Sequence, residues 1–199
     1  MTALSDAARE ALRNARSVAV VTGAGISAES GIPTYRGAGG LYDDPVEGER
    51  TMEALSAPTI ATDPDRTWRA VGRLAEVAID AEPNPGHHAL ARIEKVVDQF
   101  VLLTQNVDGL HREAGSQNVI EIHGNIRETT CMSCGDHRPF EVDRYRNLER
   151  APRCRVDGCT GILRPSVVLF GEFLDPDEGA RMQRELIEDT PDVVLAVGT

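Results

Sequence analysis

Lysine is nearly absent from this chain of 199 residues, Lys95 being the single one, so almost all of its positive charge is arginine. Lysine and arginine together number 21 against 32 acidic residues, a formal net charge of −11. That balance disfavours a non-specific grip on nucleic acid, whose phosphates need cations, and no direct nucleic-acid binding is expected. A basic target is compatible with it, because an acidic surface attracts one at low salt. The scarcity of lysine has two readings, a surface suited to a salty cytoplasm or the arginine bias of a GC-rich genome, and composition does not separate them. No apolar run is long enough to cross a bilayer, and there is no internal repeat or low-complexity tract. The opening "MTALSDAAREALRNARS" is interrupted by acidic residues and followed by no long apolar core, so it reads as an amphipathic helix and not a signal peptide. These absences lead us to expect a cytoplasmic protein with no membrane partner.

What is present is enough to bury a core. Hydrophobic residues make up 41% of the chain, and its length suits one domain or a domain with a small insert. "SVAVVTG", "FVLLTQNVDG", "NVIEIHGN", "SVVLFGE" and "PDVVLAVGT" read as strands, the third ending at His123-Gly124. Residues 5–16, "DRTWRAVGRLAEVAID", "PNPGHHALARIEKVV" and "DEGARMQRELIED" have helical spacing. Strands alternating with helices predict an α/β fold, a Rossmann-like parallel sheet with helices on both faces. Residues 129–164 break the pattern, hold all four cysteines and suggest a small zinc-binding domain. We therefore expect a nucleotide-binding domain from residues 1–128 and 165–199, with a helical insertion at about 41–82, and a zinc module at 129–164.

The first strand runs into Gly23-Ala24-Gly25-Ile26-Ser27-Ala28, which satisfies the loose Gly-x-Gly-x-x-Gly/Ala pattern of dinucleotide-phosphate loops. A hydride-transferring Rossmann unit continues with a full helix and a second strand ending in an acidic residue. Here Pro33, Gly37, Gly39 and Gly40 interrupt that helix, and Asp43 lies in the turn sequence "LYDDP". The dehydrogenase reading fails on this context. Taken alone, the loop is equally a tight strand-to-helix turn.

The cysteines are more specific. Cys131-x2-Cys134 and Cys154-x4-Cys159 are separated by nineteen residues, a spacing that places four thiolates around one structural Zn²⁺. Two disulfides are the main alternative, disfavoured without secretion signals. A redox Cys-x-x-Cys leaves the second pair unexplained. His137 competes as a ligand only if a cysteine is missing from the shell, and a nucleic-acid zinc ribbon sits badly with the acidic charge.

"GAGISAESGIPTYRG", "TQNVDGLH", "IEIHGN", the four-cysteine module and "SVVLFGE" occur in that order. Together they resemble the sirtuins (Sir2 family), NAD-dependent protein deacylases, over residues 18–199. The resemblance implies that NAD is consumed as a co-substrate: an acyl-lysine amide oxygen attacks the anomeric carbon as nicotinamide leaves. A ribose hydroxyl then captures the acyl group, giving free lysine and O-acyl-ADP-ribose. His123, a sensible general base on chemical grounds, matches the family's catalytic histidine, whereas His87, His88, His111 and His137 read as ordinary hydrogen-bonded loop residues. Asn106 and Asp108, otherwise turn formers, would border the nicotinamide and ribose and join His123 in catalysis. Gly23, Ala24, Gly25, Ile26, Ser27, Glu29, Pro33, Thr34, Tyr35 and Arg36 would form the loop over NAD, with Gln105, Gly198 and Thr199 completing its site. The family more often has phenylalanine at Tyr35. Val168, Phe170, Gly171 and Glu172 would line the acyl-lysine tunnel and pair with the peptide as an added strand, while Val167 and Leu169 read equally as core.

"GAGGLY", "CRVDGC" and "FGEFLDP" lean towards the branch that removes acidic acyl groups such as succinyl. That branch carries Tyr-x-x-Arg on the helix before "PN", and "TWRAVGRLAEVAIDAEPN" has no such pair, although Arg69 and Arg73 lie on it. Deacetylation is therefore expected first and desuccinylation second. The family pattern continues past Gly198-Thr199 with further strands, so a truncated chain that only binds acyl-lysine is a further alternative, as is protein mono-ADP-ribosylation.

Overall fold

The structure is a computed structural model and describes residues 5–35, 40, 42–146 and 148–199. Helix α1 (Asp6–Asn14) starts where the Ser5 hydroxyl accepts the Ala8 N–H. It leads to β1 (Ser17–Thr22) and a 3-10 turn over Ala24–Ser30, in the place where at most a short helix was expected. Helices α2 (Pro45–Ala54), α3 (Ala57–Thr62) and α4 (Pro64–Ile79) follow. Each begins with an Asp44, Ser56 or Asp63 side-chain cap and a proline in its first turn, where a missing N–H costs nothing. Then come α5 (Pro85–Glu94), β2 (Gln99–Thr104), α6 (Leu110–Glu113), β3 (Val119–Glu121), β4 (Gly124–Cys131) and β5 (His137–Pro139). After β6 (Leu163–Val167), α7 (Pro176–Met182) runs into a π-turn over Gln183–Glu188, and β7 (Val193–Val197) ends the order.

Four strands form a parallel sheet in the order β3-β2-β1-β7, with Val20 opposite both Leu102 and Leu195. Alternate side chains serve opposite faces. Val18, Val20, Phe100, Leu102 and Val119 pack with Leu12 of α1 and Leu90 of α5. Ala19, Val101, Leu103 and Ile120 pack with Met182 and Leu186 on the other side. Helices therefore cover both faces, which is why these strands read as continuous apolar runs.

A second sheet, β5-β4-β6, is antiparallel. It shares a core with the helical insertion: Ile60, Trp68, Val71 and Ala75 pack with Phe140, Tyr145, Leu163, Cys131 and Cys154. The Trp68 indole donates to the Leu163 carbonyl (2.7 Å) and the Tyr145 hydroxyl to that of Ile126 (2.7 Å). α4 and the cysteine segment thus form one lobe, and β4 and β6 run across residues 129 and 164.

The third parallel strand stops at Glu121, two residues before His123, which lies in a turn. Gly124 opens β4 at φ 81°, and a Cβ there would stand 2.1 Å from the Ser166 carbonyl oxygen. Only glycine lets β4 leave the turn against β6. "SVVLFGE" likewise divides: β6 ends at Val167, and Val168–Glu172 is a looped segment in which Phe170 makes an isolated bridge to Ser56. Among the described residues no helix is long and apolar enough to cross a membrane.

Candidate functional site

The C-terminal ends of β1, β2 and β7 open at one end of the parallel sheet, the usual place for a ligand in such folds. Here the chain is packed backbone on backbone. Gly25 N–H donates to the Gly198 carbonyl at 2.7 Å. A Cβ on Gly25 would lie 2.8 Å from Gly198 Cα, and one on Gly198, at φ 62°, would lie 2.1 Å from the Ile26 nitrogen. The glycines of the loop are needed for this close crossing of the first and last strand ends.

Under the loop lies a polar floor. Asp108 accepts the Ser27 hydroxyl at 2.8 Å and, through its other oxygen, the Leu110 N–H at 2.9 Å, which starts α6. Asn106 donates to the Gly23 carbonyl (3.1 Å) and to Ser27 Oγ (3.2 Å). Ser27, Asn106 and Asp108 are all buried, so their positions are set by one another and not by solvent. Tyr35 is half-buried above them; burial, with Tyr42 and Asp108 nearby, pushes its hydroxyl up to about 12. It stays a neutral donor. Its ring stacks on Tyr42 (5.6 Å), which meets Phe170 edge-on (6.3 Å).

His123 sits at the rim. Its Nδ1 is 3.0 Å from the Gln105 carbonyl oxygen, which can only accept, so Nδ1 carries the proton in the neutral ring and Nε2 keeps a free lone pair. Gln105 Nε2 also donates to Thr199 Oγ1 (3.2 Å), and Val168 N–H donates to the His123 carbonyl (2.9 Å). One histidine therefore joins the strand ends to the Val168–Glu172 segment. In that segment Leu169 is buried, Phe170 and Gly171 are exposed, and the Glu172 carboxylate is turned to Arg164. Ala24, Pro33 and Thr34 are half-buried around the floor, while Glu29 is exposed. Arg36 lies outside the described residues.

The sequence reading missed the support beneath the loop. Asn84 Nδ2 donates to the Ile26 carbonyl (2.7 Å) and to Ser30 Oγ (3.0 Å), and its Oδ1 caps α5. The only signal was Asn before Pro, read as a turn. His87 and His111 are not loop residues. They are buried on α5 and α6 with ring centroids 4.8 Å apart. Asn84 N–H donates to His87 Nδ1 (3.2 Å), and His111 Nε2 meets Thr22 Oγ1 (2.9 Å), whose own proton goes to Thr104. The atoms left without partners, His87 Nε2 and His111 Nδ1, are thus a donor and an acceptor. Burial, with His87 beside it, pulls His111 down to about 3, and burial lowers His87 too, so the pair is neutral. His88 is also helical, and His137 lies in β5 against Glu128 (3.0 Å).

The four cysteines converge in the other lobe, all four sulfurs within 4.8 Å of one another. Cys131 and Cys159 are 3.7 Å apart and Cys134 and Cys154 3.8 Å, far beyond a disulfide. A tetrahedron with Zn–S near ~2.3 Å has edges of ~3.8 Å, so the set fits zinc. The N–H groups of Ser133 and Cys134 donate to Cys131 Sγ and draw that thiol down to about 6. Val156 and Gly161 N–H groups donate to Cys154 and Cys159. Backbone bonds pull Cys134 and Cys154 down, but the neighbouring thiols and burial outweigh them and raise both.

A model of the Sir2 family matches residues 23–199. NAD-dependent protein deacylase 2 of Pseudomonas syringae pv. tomato is 42% identical over 195 residues, covering 96% of this chain and 77% of that protein. NAD-dependent protein deacylase sirtuin-5, mitochondrial, of Xenopus tropicalis is 40% identical over 216 residues, covering 96% and 67%. Among solved structures, a Sir2 homologue–NAD complex superposes with a TM-score of 0.84 at 36% identity, over 100% of this chain and 73% of that one. A Sir2 complex with deacetylated p53 peptide and 3'-O-acetyl ADP-ribose gives 0.80 at 29% identity, over 96% and 74%.

Proposed function

The chain belongs to the Sir2 family, and from that premise we propose that it is an NAD-dependent protein lysine deacylase whose first substrate is acetyl-lysine. NAD, taken as co-substrate, supplies the electrophilic ribose carbon that receives the acyl oxygen. Its place is the end of the parallel sheet where Gly25 crosses Gly198 over the Ser27–Asn106–Asp108 floor. Asn106 and Asp108 set the loop's position through Ser27 and Gly23, so their part in catalysis is to hold the ligand's surroundings rigid. His123 is the proposed base: with Nδ1–H committed to Gln105, Nε2 takes the proton from a ribose hydroxyl. Zinc at Cys131, Cys134, Cys154 and Cys159 is structural, since four sulfurs leave no open position. Reduced thiols at this spacing support a cytoplasmic location.

The preference for acetyl is carried by α4. Its buried residues Trp68, Ala70, Val71, Ala75 and Ala78 are taken up by the core shared with the cysteine lobe, which leaves its arginines as the groups that could meet a carboxylate. Arg69 donates to the Glu149 carbonyl (3.1 Å), and Arg69 and Arg73 line a cleft in which Arg50 is paired with Glu47 and Arg66 with Glu53. Without a Tyr-x-x-Arg pair on this helix, a succinyl carboxylate would lose its hydration with no fork of donors to replace it. The test is nicotinamide release by the zinc-loaded chain with matched acetyl- and succinyl-lysine peptides. We expect release that requires peptide and favours acetyl. Faster release with succinyl-lysine overturns the preference, and release from neither overturns the activity.

A further inference from the structure

The Val168–Glu172 segment spans the gap between the lobes on isolated bonds and not in a strand ladder. Val168 N–H reaches the His123 carbonyl, while Phe170 donates to Leu55 O and accepts from Ala57 N, each at 2.9 Å. Between these anchors the Leu169 backbone bonds to Glu172 alone among the described residues: its N–H donates to Glu172 Oε2 (2.9 Å) and its carbonyl accepts the Glu172 N–H (3.0 Å). Arg164 on β6 closes the loop. Its Nη1 and Nη2 donate to the two Glu172 oxygens at 2.6 and 2.7 Å, and Nη2 also reaches the Val167 carbonyl at 2.9 Å. Both side chains are largely shielded, 24% and 21% exposed, so the pair escapes most of the screening that weakens surface ion pairs. Burial alone would raise the Glu172 carboxyl; the bonds from Arg164 and the Leu169 N–H outweigh it and hold the group below its ordinary range.

We propose that Arg164 and Glu172 are positioning residues, a latch that folds Val168–Glu172 into its peptide-pairing shape before substrate arrives, and that Glu172 touches no substrate. This rests on the acyl-lysine reading above. Pairing a peptide with the main chain needs backbone groups that are held in place yet unspent, which among the described residues of this segment include the Val168 carbonyl and the N–H and carbonyl of Gly171. An unlatched segment must be ordered at the moment of binding, which weakens affinity. The fork geometry is specific: lysine at 164 cannot serve both carboxylate oxygens and the Val167 carbonyl from one planar group.

The test uses Glu172→Gln, Arg164→Lys and the double variant in the full, zinc-loaded chain. It reads amide exchange at Leu169 and calorimetric binding of NAD alone and of an acetyl-lysine peptide. Leu169 exchange should accelerate about tenfold and peptide affinity should fall about tenfold, with NAD affinity within about twofold of the parent. The double variant should be no worse than the weaker single, since both cut one unit. Unchanged Leu169 exchange, faster exchange with unchanged peptide affinity, or a parallel fall in NAD affinity each overturns the latch. If the parent chain binds neither acetyl- nor succinyl-lysine peptide, the functional reading fails, and Leu169 exchange still decides whether the latch exists.

Discussion

In the parallel sheet Val20 and Leu102 lie side by side with 0% exposure, covered by helices above and below. In the smaller sheet β5 is three residues long with its first and last exposed, and its core is borrowed from α4. The first is held by apolar burial, each fully buried Val or Leu contributing about 1.5–3 kcal/mol. The second has too few such residues of its own and closes around four sulfurs. His123 lies where the two meet, after β3 of one sheet and before β4 of the other. The geometry of the proposed site therefore depends on both kinds of stabilisation, and the lobes should respond to different insults.

Removing zinc, by chelation or Cys154→Ser, should have the largest effect, because structural zinc contributes about 10–16 kcal/mol in small zinc peptides. Trp68 is the single tryptophan and is fully buried in the shared core. Its emission should shift to the red while amides of β1 and β2 stay protected from exchange. An unshifted spectrum would mean that α4 holds the lobe without metal. Next, His123→Ala should cut peptide-dependent nicotinamide release by about 10²–10⁴. Zinc content, Trp68 emission and NAD binding should be unchanged, marking the histidine as belonging to neither core.

Gly198→Ala tests the parallel side. With a Cβ 2.1 Å from the Ile26 nitrogen, it should cost about 2–4 kcal/mol and weaken NAD binding, again with Trp68 emission unmoved. Acid should also act on this side. Folded His111 protonates near 3 and an unfolded histidine near 6.5, so the unfolded state binds the extra proton between them. The stabilisation is complete above pH 6.5 and is lost as pH falls towards 3, by at most about 1.4 kcal/mol per unit from this group. Denaturant unfolding followed by β1 and β2 amide exchange at pH 7.5, 6 and 5 should show it, and His111→Gln should flatten the slope. The smallest effect is expected of Tyr35→Phe, whose stacked ring survives: deacylation should stay within about twofold.

Much of this was legible beforehand. Continuous apolar runs announced β1 and β2 because strands buried on both faces need no polar alternation. The run of β7 announced it too, although Val194 and Ala196 on one of its faces are exposed. The cysteine spacing announced a metal-binding set because two close pairs can place four thiolates around one ion, and the four sulfurs do converge. His123 was found through ordered motifs, but its place beyond the strand end was not, since strand ends depend on which neighbour pairs last. His87 and His111 were read as loop residues because nothing local says that α5 and α6 will press two imidazoles together. Glu172 was expected to line the acyl-lysine tunnel; its bond to Arg164, eight positions earlier in β6, was not read, because it forms only when the chain after β6 folds back on the strand.

By itself the sequence determined the main strands of the parallel sheet and the helices packed on it, where a Gly-rich loop and a metal-binding set lie, and the family they resemble, because periodicity, turn chemistry and ligand spacing are local properties of the chain. It left α2 and α3 as separate helices, and β4 and β5, unread. Only the tertiary structure decided that α4 shares its core with the cysteine lobe, that Gly25 and Gly198 cross, which nitrogen of His123 is free and where Glu172 turns. Apart from the Glu172–Arg164 pair, eight positions apart, those are contacts between more distant residues, and all of them exist only once packing has chosen among the many arrangements local preference allows.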